Sequence, residues 1–135
     1  MGVILDILTS ESFRKRPAMY AGSENFSELE WWIRGFEYGC RHSLPESLYE
    51  LDGFREYLHM HLDGPGNIDW ESIITWKFGN GVEATQKAFE YLDQFLQEVS
   101  RLGKDRLIAD HADYEKRRYG FLASSRLGRH RRGLS

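Results

Sequence analysis

Residues 82–102 read VEATQKAFEYLDQFLQEVSRL, and this stretch settles the fold class. Val82, Ala88, Phe89, Leu92, Phe95, Leu96, Val99 and Leu102 recur mostly at three- and four-residue steps, which gathers them on one stripe of an α-helix. Gly103 follows at once, as a residue that stops a helix by turning left-handed would. No segment of the chain shows the strict alternation of a half-buried strand, apart from a possible small hairpin near Met19–Ala21. The spacing therefore predicts an all-α, single-domain bundle of five to six helices with a basic C-terminal tail.

Upstream of that helix, Trp70, Ile73, Ile74 and Phe78 mark another, capped by Asn67 or Asp69 and stopped at Gly79-Asn80-Gly81. The break Asp63-Gly-Pro-Gly-Asn67 separates it from a helix near 51–62 that carries Phe54, Tyr57, Leu58 and Leu62. Ser27-Glu28-Leu29-Glu30 fits a capping box, with Ser27 as N-cap and Glu30 reaching back. Leu29, Ile33, Phe36 and Cys40 then define a helix over 27–42, in which Gly35 and Gly39 predict a close-packed neighbour. Residues 3–13 read as a short helix ended by Arg14-Lys15-Arg16 and Pro17, with Ala18–Gly22 as a connector. Downstream, residues 104–119 read as a polar helix, and the tail from Gly120 is rich in Ser, Arg and Gly.

The chain of 135 residues is long enough for one core. Its net charge of −3 conceals a split. Residues 1–115 hold all 21 acids and 11 of the 18 bases, a net of −10, whereas 116–135 hold seven bases and no acid. The expected organisation is an acidic helical domain, 1–115, followed by a basic tail, 116–135. A lone cysteine, Cys40, excludes an internal disulfide and a Cys-rich zinc site and favours the cytoplasm. The opening apolar run contains Asp6 and lacks a basic flank, so it does not read as a signal peptide. No apolar run approaches the roughly 20 residues that cross a bilayer, so no membrane partner is expected.

Catalytic and metal chemistry are sparse. His59 and His61 are two apart and diverge on a helix; His59 with Asp63, and His111 with Glu115, share the i, i+4 spacing of ordinary surface pairs. Cys40 sits on an apolar stripe, as a small buried hydrophobe does. Glu28, Glu30 and Glu37 read as a solvated helix face. No catalytic residue, metal ligand or cofactor is nominated.

Binding is better represented. Residues 24–56 carry eight acids against Arg34, Arg41 and Arg55. Trp31 and Trp32 are adjacent, so one of them must face out. Glu24, Glu28, Trp31 and Glu50 are the expected contact surface for a basic partner protein, since clustered negative charge speeds association with a cationic one. Arg14, Arg16 and Tyr20 form a second binding candidate, for an anion or an acidic group; the same corner is more simply explained as a helix stop in which Met19 and Tyr20 plug the core. The alternative is nucleic-acid binding through Lys116, Arg117, Arg118, Arg129, Arg131 and Arg132, with Tyr119 and Phe121 placed to stack on bases. A metal enzyme centred on His59 and His61 is the remaining class. The oligomeric state is not legible.

The most distinctive motif is Arg14-Lys15-Arg16-Pro17-Ala18-Met19-Tyr20-Ala21-Gly22. It resembles a segment near the start of the ATPase chains of type II topoisomerases, DNA gyrase among them. That likeness ends after nine residues: Asn25, Asn67 and Asn80 lack an acid four residues earlier in the pattern the ATPase class needs, and Asp63-Gly64-Pro65-Gly66 misplaces the glycines of the adenine motif. The motif also resembles the R-x-R-P-x-M-Y-x-G opening of small bacterial helical proteins, with Gly35-Phe36, Trp76-Lys-Phe-Gly79 and Ala88-Phe89 as further matching parts over residues 3–98. Such proteins resemble immunity or accessory proteins of bacterial competition and defence loci. The resemblance implies a non-catalytic, inhibitor-like role toward a toxin or defence effector.

Overall fold

A computed structural model describes residues 3–43 and 51–134, with side chains from 4–40 and 51–120. Eight helices follow one another among the described residues, with no strand. They are α1 (Val3–Leu8), α2 (Glu11–Lys15), α3 (Ala18–Ala21), α4 (Phe26–Ser43), α5 (Phe54–Leu62), α6 (Trp70–Phe78), α7 (Val82–Leu102) and α8 (Lys104–Leu134). The all-α expectation holds; the expected helix count is too low. Two causes account for that. Thr9 and Ser10 split the first predicted helix, and Ser10 caps α2 by accepting from Phe13 N–H. Pro17, expected to end a helix and start a connector, opens α3 instead, because its fixed φ suits a first helical turn.

The middle of the α7 stripe faces the core as predicted: Ala88, Leu92 and Phe95 are buried, with Phe89, Leu96 and Val99 packed at their edge; its first residue, Val82, is 43% exposed instead, and Leu102 lies outside the core. Phe54 and Phe95 meet at 5.3 Å, Phe54 and Trp70 at 5.2 Å, and α5, α6, α7 and α8 close around these rings. Gly53 must be glycine here. Its φ is +93°, a backbone conformation strained for any residue with a Cβ. Gly103 turns α7 into α8 at φ +85° and donates to Val99 O, as its position after the stripe predicted.

The capping box at Ser27 does not form. Ser27 lies inside α4 and its hydroxyl turns to the Glu28 carboxylate. The free N–H groups of Phe26 and Ser27 donate instead to Gly81 O at 3.3 Å and Asn80 O at 3.1 Å, so the α6–α7 turn caps α4. A Cβ at Gly35 or Gly39 would meet nothing within 4 Å, so no close-packed helix lies against them among the described residues. Met19, expected in the bundle, is 73% exposed. The motif corner does hold an aromatic cluster: Phe13 is fully buried and meets Tyr20 at 4.9 Å, Trp32 at 5.2 Å and Phe89 at 5.9 Å. No helix among the described residues is long and apolar enough to cross a membrane.

Candidate functional site: an acidic, aromatic face between two helices

α4 and α6 pack side by side, and their junction is polar. Asp69 caps α6 by accepting from Ser72 N–H at 2.9 Å. The same carboxylate takes both arms of Arg34, at 2.6 Å and 3.0 Å. Arg34 also lies 3.6 Å from Glu30 and 3.9 Å from Glu71. One guanidinium thus serves three carboxyl groups. Its hydrogen bond to Asp69 holds that carboxylate down at about 2. Glu71 goes the other way. It is buried, and burial together with the charge of Glu37 pushes it up to about 8, so it keeps its proton at neutral pH.

Two grooves flank this junction. One, of about 380 Å³, is lined by Arg34, Glu37, Tyr38, Asp69, Trp70 and Glu71. The other, of about 450 Å³, is lined by Ser27, Glu30, Trp31, Ser72, Thr75, Trp76 and Asn80. Trp31, Tyr38 and Trp76 stand at 72%, 67% and 51% exposure, far more than large rings show by default. The indole Nε1 of Trp70 is buried in the wall of the first groove without a hydrogen-bond partner.

The residues nominated from sequence are spread over this map. Trp31 is the exposed member of its pair, as adjacency required, while Trp32 stacks on Phe36 at 5.2 Å. Glu28 lies one turn before Trp31 on α4 and Glu24 just before the helix; both are exposed. Glu50 lies outside the described residues. Glu30 and Glu37 are not the solvated face expected of them; both are half-buried against α6 partners. Arg14 is spent internally: it donates to Leu8 O and to Asp93, both at 2.7 Å, and lies over the Phe89 ring. Arg16 and Tyr20 are exposed at the same corner.

Of the basic set, Lys116, Arg117 and Arg118 sit on α8, whose backbone runs unbroken across the expected domain–tail boundary to Leu134. Lys116 and Arg117 are exposed. Arg118 is tied to the body: it pairs with Asp63 at 2.9 Å and donates to Gly64 O at 2.9 Å. The side chains of Arg129, Arg131 and Arg132 lie outside the described ones.

A cluster that the sequence does not announce sits at the α5–α8 contact. His59 is fully buried and His111 nearly so, and His59 Nδ1 lies 2.9 Å from His111 Nε2. His61 points elsewhere and packs on Tyr57, as divergence on a helix requires. No local pattern links residues 52 apart; the spacing of His111 points only to its i+4 neighbour, Glu115.

Compared with known proteins, the chain matches no family model, no curated protein and no solved structure.

Proposed function

We propose that this chain is a non-catalytic protein-binding domain, immunity-like or inhibitor-like, that docks a basic partner protein on the α4–α6 face. One observation carries the reading: Trp31 and Trp76, both mostly exposed, line one groove together with Glu30. Indole rings beside carboxylates suit the arginine and lysine side chains of a partner, through cation–π contact and charge-assisted hydrogen bonds. Among the described residues that line the grooves the one cation is Arg34, with Glu30, Asp69 and Glu71 around it; Lys77 Nζ stands 5.9 Å from the centre of the Trp76 ring, which a partner cation would share or take over. Glu30 and Asp69 keep the face acidic, and Glu24 and Glu28, exposed before and at the start of α4, add negative charge. Exposed aromatic anchors are the usual source of interface energy.

The rival reading, phosphate binding by the basic end of α8, is weakened by Arg118, whose charge already serves Asp63. The test is to titrate the product of the adjacent gene against the full chain by calorimetry at low and high salt. A saturable complex that salt weakens, and that Trp31→Ala and Trp76→Ala weaken at least about tenfold, supports the reading. No complex, or a salt-dependent shift of DNA or RNA lost with Lys116→Glu and Arg117→Glu, replaces it.

A further inference from the structure

The α5–α8 contact holds an arrangement that protein docking does not use. His59 Nδ1 and His111 Nε2 come together at 2.9 Å, and Glu115, one turn beyond His111, has Oε1 3.7 Å from the ring's other nitrogen, Nδ1, so its half-exposed side chain must turn toward Nε2 to join them. One ligand atom from each of the three lies within 4.8 Å of the others. We infer that His59, His111 and Glu115 bind a first-row divalent cation, Zn²⁺ before others, which fastens α8 to α5.

Two imidazoles and a carboxylate are a donor set for a borderline metal rather than for Ca²⁺ or Mg²⁺. Tetrahedral zinc, with Zn–N of about 2.0–2.1 Å, holds its ligand atoms about 3.3 Å apart. The two nitrogens, aimed at each other in a hydrogen bond, must part by a few tenths of an ångström and both rings must tilt until their lone pairs meet at one ion. His59 Nε2, the nitrogen left over, lies 3.2 Å from Tyr119 Oη, which aims the ring as outer partners of metal-bound histidines do. In the metal-free tautomer Tyr119 donates to Nε2 and His59 Nδ1 donates to His111. On binding, the His59 proton moves to Nε2 and Tyr119 accepts it, so both imidazoles stay neutral.

Access is from the Glu115 side. That side chain is 49% exposed, whereas His111 is 10% exposed, so the ion has a solvent path and water takes the fourth position. The nearest cations do not forbid it. Arg55 pairs with Glu56 at 3.1 Å and Arg118 with Asp63.

Co²⁺ and Zn²⁺ titrated into the full chain near neutral pH test the site. The expected result is one ion per chain, visible d–d absorption of a tetrahedral Co²⁺ centre, and a Zn²⁺-dependent rise in Tm. Glu115→Gln, which alters an exposed position and leaves the fold intact by circular dichroism, weakens binding at least about tenfold. His61→Gln leaves it unchanged. Absence of saturable binding, a Co²⁺ spectrum of octahedral surface type, or wild-type affinity in Glu115→Gln overturns the assignment. None of these outcomes bears on the docking face, which is read out by complex formation.

Discussion

Arg34 grips Asp69 through both carboxylate oxygens, and that carboxylate is at the same time the N-cap of α6. One residue thus couples a helix start to the neighbouring helix. The bidentate pair fixes the spacing of α4 and α6, and with it the two grooves.

Asp69→Ala removes the cap and the bridge together. The expected loss is about 1–2 kcal/mol, most of it the cap. Asp69→Asn keeps an oxygen for Ser72 N–H and loses less than about 1 kcal/mol, since both partners are partly solvated. Urea unfolding of the two variants separates the contributions. Equal losses would mean that the ion pair, not the cap, holds the junction.

Glu71 makes stability fall as the medium turns alkaline. Its folded pKa, about 8, stands above the ordinary 4.5, so the folded chain holds a proton that the unfolded chain releases. The contribution is fully present below pH 4.5 and is lost as pH rises toward 8. Glu71→Gln, which keeps the shape without the charge, flattens that slope between those two values. Urea midpoints across the range measure it, and a slope unchanged in the variant would place the effect elsewhere.

His59 acts at the other end. Burial, with His111 and nearby arginines, lowers its pKa from 6.5, and burial lowers that of His61 as well. Well above pH 6.5 both states are neutral and nothing changes. Below it the unfolded chain takes up protons that the folded chain refuses, so stability drops as pH falls from 6.5 toward the folded values. Ring-proton NMR of the metal-free chain across mildly acidic and neutral pH tests this directly: the His59 signal should titrate below 6.5, and a midpoint above it would contradict the burial argument.

Gly103→Ala should cost about 1 kcal/mol. Its φ of +85° is strained for any residue with a Cβ, although nothing crowds the site. Thermal melting reads this loss. An unchanged Tm would show that the α7–α8 turn relaxes at no cost.

Much of this fold is legible in the sequence because helical periodicity is local. The α7 stripe, the Gly103 stop, the Asp69 cap, the burial of Cys40 and the exposure of one Trp in the 31–32 pair all follow from residues within a few turns of each other. The misses have a common cause. Ser27 loses its cap role because backbone carbonyls of Asn80 and Gly81, distant in sequence, reach the helix start first. Glu30 and Glu37 look solvated until α6 is laid over them. His59 meets His111 across 52 residues. Charge counting finds an acidic body and a basic tail; only packing reveals that Arg118 crosses between them to Asp63.

The docking face rests on two exposed indoles and the acids around them. Its decisive check is calorimetric titration of the adjacent gene's product into the wild-type chain and into Trp31→Ala. A one-to-one complex is expected, with an affinity that falls as salt rises and drops at least about tenfold in the variant while the melting temperature stays put. Equal affinity for both chains, insensitive to salt, would rule the acidic, aromatic face out as the binding surface.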